Sequence, residues 1–153
     1  MKHYPPPSPR AAPPPPRRIP AFHPVPVGVR QDGWTPERQA QFIGMLAQTR
    51  SVLAAARAVS MGRESVYRLR KRPGAAGFAA AWDAALGKPH EAVDLASTKS
   101  TGLVPSYRHQ AGRLQVKMYQ GRFTAIAHKP DNSALLQHLA RLDRACRLVD
   151  AEQ

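Results

Sequence analysis

The sequence is short of cysteine, of carboxylates and of long apolar runs. Its single cysteine, Cys146, cannot close an internal disulfide, and no cysteine cluster offers a structural zinc site. No apolar stretch approaches the ~20 residues that a bilayer-spanning helix needs, so no membrane partner is expected. The start, Met1-Lys2-His3-Tyr4 followed by prolines, lacks the apolar centre of a secretory leader, and the expected compartment is the cytoplasm. Large apolar residues are scarce as well: Leu, Ile, Val and Phe together number 29 of 153, while alanine alone numbers 25. Alanine buries little area, so the expected core is helical, small and modest in stability. That disfavours a self-contained enzyme with a deep, dry pocket.

What is abundant is positive charge. Lys and Arg total 23 against 10 Asp and Glu, a formal net charge of +13. A chain this basic is drawn to polyanions. Proline is the other excess, and it is uneven: 12 of the 16 prolines lie between Pro5 and Pro36. With Lys2, Arg10, Arg17, Arg18 and Arg30 against Asp32, residues 1–33 read as a disordered, basic, proline-rich tail. Pro13, Pro16 and Arg18 also match the spacing of a ligand for proline-recognising domains. A solvated tail is the simpler reading.

Order is expected from Trp34. Thr35 suits an N-cap, Pro36 the first helical position and Glu37 the positive helix terminus, and Phe42, Ile43 and Leu46 share a face. The spacing predicts a helix over 36–48. Ser51 caps a second, alanine-dense helix over 52–59. Ser60-Met61-Gly62 breaks it, and a third helix over 63–72 keeps Val66 and Leu69 on its inner side until Pro73-Gly74 stops it.

Three short helices with a three-residue turn between the last two have the parts of a helix-turn-helix. Ala55, Val59, Met61, Val66 and Leu69 are apolar where two steeply crossing helices must touch, and Ala56 is small where their backbones approach. This stretch resembles the homeodomain-like helix-turn-helix family of bacterial DNA-binding proteins, over roughly residues 35–72. The family usually has glycine at the first turn position and often serine at the cap of the recognition helix; here Ser60 and Gly62 stand exchanged. A left-handed Ser60 costs about 1 kcal/mol, and a glycine N-cap a few tenths.

The resemblance implies that the helix from Arg63 to Arg72 enters the major groove of double-stranded DNA. It assigns base contacts to Arg63, Glu64, Tyr67 and Arg68, the arginines to guanine and Glu64 to cytosine. It assigns phosphate contacts to Ser51, Arg70, Lys71 and Arg72. The expected function is sequence-specific duplex binding in transcription regulation. The alternative class is a basic adaptor that uses its charge on RNA or a protein partner.

Beyond the motif, residues 75–86 read as a fourth helix whose Phe78, Ala81, Trp82 and Ala85 pack on the first three, within a domain over 34–100. Residues 91–99 suggest a further helix around Val93 and Leu95. Residues 101–129 change period: Val116 and Met118 alternate with polar neighbours, Gln120-Gly121 marks a turn, and Phe123, Ala125 and Ala127 alternate beyond it, predicting a hairpin that must pack on helices or on another copy. Asp131-Asn132-Ser133 then caps a last helix to about residue 149. Its Leu135, Leu139, Leu142, Cys146 and Val149 form a seam that pairs within the chain or with a second copy, and Cys146 reads as a small buried hydrophobe. The expected fold is therefore mainly α, with residues 101–153 a hairpin and helix for packing or homo-oligomerisation. The order of parts is similar to that of phage terminase small subunits, which bind viral DNA through such a motif and oligomerise through the region C-terminal to it; that similarity is confined to about residues 35–86.

No catalysis, cofactor or metal is expected. His3, His23, His90, His109, His128 and His138 are scattered without ligand spacing, and Gly102, Gly112 and Gly121 stand alone rather than in a phosphate loop. Tyr67 or Ser65, with arginines nearby, has the chemistry of a recombinase nucleophile, but the folded part is short for such domains.

Overall fold

The computed structural model describes residues 18–28 and 30–152. Pro13 and Pro16 lie outside those residues, and Arg18 is exposed. The described elements are α1 (Pro36–Thr49), α2 (Val52–Ala58), α3 (Arg63–Arg70), α4 (Ala76–Ala85), α5 (Thr98–Thr101), α6 (Pro105–Ala111), β1 (Arg113–Tyr119), β2 (Arg122–Lys129) and α7 (Asn132–Glu152). The fold is mainly helical, with one antiparallel hairpin and a long last helix. Among the described residues no helix is long and apolar enough to cross a membrane.

Helix α1 is central and touches α2, α4 and both strands. Thr35 caps it, its hydroxyl accepting from the Arg38 N–H at 3.3 Å, with Pro36 in the first turn. Arg50 ends it in the left-handed conformation, φ 59°, its N–H closing on the Leu46 carbonyl at 2.8 Å. Phe42 is the hub, with ring centroids 5.8 Å from Trp34, 6.1 Å from Phe78 and 5.1 Å from Trp82. Phe78, Ala81, Trp82 and Ala85 of α4 are all buried against this cluster, as their spacing requires.

Of the tail expected over 1–33, residues 18–28 are instead held against the folded body. Ile19, Phe22 and Val25 are buried, and Phe22 makes edge contact with Phe78 at 5.9 Å. Residues 18–28 form a strap held by few but well-placed bonds. Phe22 exchanges two backbone hydrogen bonds with Leu114 of β1, at 2.8 and 3.0 Å. The buried Gln39 amide accepts from the Val25 N–H at 2.7 Å and donates to the Val25 and Trp34 carbonyls at 3.1 Å. Tyr107 donates to the Pro24 carbonyl at 2.7 Å. Pro20, Pro24 and Pro26 carry no N–H, so a proline-rich strap buries few donors that need partners.

The hairpin turns at Gln120 and Gly121, both at positive φ (49° and 77°), which suits the tight turn of a twisted hairpin. The face expected from Phe123, Ala125 and Ala127 is not kept. The register shifts between Lys117 and Met118, so Met118 pairs Phe123 while Lys117 pairs Ala125. The extra residue, Thr124, changes the inside–outside phase: Phe123 and Ile126 pack on the core and Ala125 is exposed. Phe123 covers Gly44 of α1, where a Cβ would collide with its ring. The division at residue 100 does not separate two cores, because Leu114 and Val116 join the same buried cluster as Phe42.

The helix expected over 91–99 is also corrected. The Asp94 carboxylate accepts from the Ala96 N–H at 3.0 Å, a local turn that competes with helix, and α5 begins only after the Ser97 cap. Helix α6, with Pro105 in its first turn and Gly112 after its end, lies in the segment read as extended. Buried Arg108 ties these parts together. Its guanidinium donates to the Leu103 and Leu95 carbonyls at 3.1 Å, to Thr98 Oγ1 at 3.2 Å and to Gln137 Oε1 at 2.7 Å.

Asp131 caps α7 through the Ala134 N–H at 3.0 Å while its other oxygen meets His23 at 2.8 Å and Arg113 at 3.2 Å. Burial pushes the His23 imidazole below its ordinary value, against the opposing pull of Asp131. Burial alone would raise the Asp131 carboxyl, but hydrogen bonds from His23, the Ala134 N–H and Arg113 hold it below its ordinary value. The His23 Nε2–H donates to the carboxylate, and among the described residues its Nδ1 has no partner.

Candidate nucleic-acid interface

The candidate site is the outer face of α3, and three contacts fix how that face points. Val66 and Leu69 are buried against the core. Ser65 accepts a hydrogen bond from Trp34 Nε1 at 2.7 Å, tying α3 to the residue just before the α1 cap. Met61, in the turn before α3, donates its N–H to the Ala56 carbonyl at 2.9 Å and lies beside Arg38. Ser60 takes φ 59°, the left-handed turn its position implies, and Gly62 is extended at the N-cap with no side-chain bond. Ala55 and Ala56 are buried where α2 meets its neighbours.

With that face fixed, Arg63, Glu64, Tyr67 and Arg68 are all exposed. Gly62, Arg63, Glu64 and Tyr67 line an open depression of about 500 Å³ at the start of α3. Tyr67 is held from behind, its ring centroid 5.4 Å from that of Trp82, and the Arg63 guanidinium lies 5.8 Å from the Tyr67 centroid. Lys71 and Arg72 are exposed past the end of the helix. Ser51 is exposed and caps α2, its oxygen accepting from the Ala54 N–H at 3.2 Å.

Arg70 is placed differently from the other predicted residues. Its guanidinium grips Asp83 of α4 through two bonds, at 3.0 and 3.1 Å, and lies over the Trp82 ring at 5.1 Å. A planar fork on a carboxylate and an aromatic face is a structural strut. Arg70 therefore joins α3 to α4 instead of standing with Lys71 and Arg72. Four cations, Arg63, Arg68, Lys71 and Arg72, remain free of that pairing on this side of the chain, with Glu64 among them.

Sequence spacing did not find Trp82 and Asp83 as the support behind this face. The available signal was Asp83 itself, a lone carboxylate in the alanine-rich α4. Arg50 and Arg57, exposed at the ends of α1 and α2, are cations the sequence reading did not assign to the site. Among the described residues no group of three His, Cys, Asp or Glu comes together as metal ligands. Comparison of the chain with protein-family models, with curated proteins and with solved structures finds no match.

Proposed function

We propose that the chain binds double-stranded DNA sequence-specifically through α3 in the major groove, as a regulator of transcription, and that it self-associates through α7. The observation that carries the first part is the division of α3 into two faces. Val66, Ser65 and Leu69 hold it inward, and Arg63, Glu64, Tyr67 and Arg68 stand outward on an aromatic and ionic support. A short helix held this firmly presents its side chains to base edges with little ordering cost on binding.

In this reading Arg63 and Arg68 each offer a planar fork to guanine, and Glu64 accepts from cytosine. Tyr67, backed by Trp82, packs beside them. Lys71 and Arg72 meet phosphates, as does Ser51, whose oxygen is used in the cap while its O–H remains a donor. Arg70 sets the angle of α3 through Asp83 and has no phosphate of its own.

Competition between duplex DNA and single-stranded RNA at two salt concentrations tests the reading against simple attraction of a +13 chain to any polyanion. Groove reading predicts a duplex preference whose sequence-dependent part survives the higher salt. Equal loss of duplex and RNA binding would overturn it.

A further inference from the structure

The last helix meets the body of the protein in an unexpected orientation. Helix α7 docks by Ala134, which is buried, and by polar groups on the same side: Gln137 bonds Arg108 at 2.7 Å and the Ala96 carbonyl at 2.9 Å, and Arg141 reaches Thr98 at 3.4 Å. Leu139, Leu142 and Val149 lie on an adjacent side that begins at the partly buried Leu135. Leu139 is 51% exposed, Leu142 49% and Val149 57%, with Leu136 at 68% beside them. Cys146, on the same seam, is exposed, contrary to the buried place expected of it. An amphipathic helix that turns its polar side inward leaves its apolar side for another surface.

Charge identifies that surface. The chain carries +13, yet in α7 Arg141, Arg144 and Arg147 are balanced by Asp143, Asp150 and Glu152. Here a second copy approaches without the like-charge repulsion it meets elsewhere. An anionic lipid surface would instead select a cationic polar face. The charges are also ordered along the helix. His138 and Arg141 lie in the first half without a carboxylate, and Asp150 and Glu152 lie at the end, past the last arginine.

Resting on the self-association part of the reading above, we infer that α7 pairs antiparallel with α7 of a second copy, about Leu142. Antiparallel pairing about Leu142 sets Asp150 and Glu152 of one helix beside residues 132–134 of the other, the positive end of its dipole, and opposes the two dipoles. Parallel pairing stacks Asp150 and Glu152 on their own equivalents. The seam from Leu135 to Val149 is about 21 Å long at ~1.5 Å per residue, and Leu142 is its middle residue. Leu135 then lies near Val149 of the second copy, and Leu139 near Cys146. A contact of this length is small for a specific interface, so the pairing depends on protein concentration.

The single cysteine reads the orientation. The full chain, 16.8 kDa as a monomer, is measured by light scattering over a range of concentrations and then exposed to a mild thiol oxidant. The expected result is a mass rising to twice the monomer, with no disulfide between Cys146 residues, which antiparallel helices hold apart. A Leu142→Cys, Cys146→Ser chain is expected to cross-link readily, because its new thiols face each other. A Leu142→Arg chain, altered only on the exposed face, is expected to keep its helical circular dichroism and lose the dimer. A dimer that bridges through Cys146 overturns the antiparallel arrangement. A dimer in which Leu142→Cys fails to bridge places the contact elsewhere and also overturns it. A monomer at every concentration overturns self-association through α7 itself, while leaving the DNA contact untouched.

Discussion

Replacing Ser60 with glycine tests the turn that aims α3. Ser60 sits at φ 59° and is exposed, so the substitution removes conformational strain without removing buried area. A non-glycine residue in the left-handed region costs ~1–2 kcal/mol. Glycine returns roughly 0.5–1 kcal/mol of that through the extra freedom of the unfolded chain. The net expected gain is about 0.5–1 kcal/mol, a rise of about 1–4 °C in the thermal midpoint of a chain this long. Ser60→Val runs the other way. A β-branched side chain tolerates φ above zero poorly, and a fall of about 2–6 °C is expected. Duplex affinity of Ser60→Gly stays unchanged, since Ser60 is not among the proposed contacts. Thermal unfolding by circular dichroism reads both variants. A glycine that lowers the midpoint, or a valine that leaves it unmoved, would refute a left-handed turn before α3.

Arg68→Ala is expected to weaken binding to the preferred duplex about 5- to 150-fold, the ~1–3 kcal/mol of a bidentate base contact, and to relax sequence preference. Lys71→Ala is expected to weaken all duplexes alike and to flatten the salt dependence by about one unit of slope, both read by fluorescence titration. Gly44→Ala pushes a methyl into the Phe123 ring and is expected to destabilise by ~1–3 kcal/mol, measured by urea unfolding. Acidification should also destabilise. His23 is depressed from 6.5, so below that value the unfolded chain takes the proton first, and stability falls as the pH drops from 6.5 towards the folded value. Asp131 is depressed as well, so its contribution is lost only at lower pH, below 3.8. His23→Gln is expected to remove the first step from a midpoint-against-pH profile and to leave the second.

The elements that the sequence made legible are those whose signals are local. Thr35, Pro36, Ser51 and Pro73-Gly74 mark helix ends by their own chemistry, and the α1 to α4 boundaries lie close to them. The strap was hidden because proline density reads as disorder, whereas its order comes from partners far along the chain, Gln39, Leu114 and Phe78. Helix α6 had its markers, Pro105 and Gly112, but lay beside a stretch whose alternation suggested strands. Within the site, periodicity separated the outer face of α3 from its inner one and so located Arg63, Glu64, Tyr67 and Arg68. It did not locate the role of Arg70, which depends on Asp83 in another helix. The bulge at Thr124 was equally invisible, since one inserted residue leaves no trace in composition.

Selection of bound duplexes from a random pool tests the central claim most directly. Base reading by α3 predicts a short enriched motif containing G·C pairs for Arg63 and Arg68, lost on Arg68→Ala at the affected base pair alone and, for the α7-paired form, repeated in inverted orientation. A pool that stays random after repeated rounds, or one enriched identically by wild-type and Arg68→Ala chains, would contradict it.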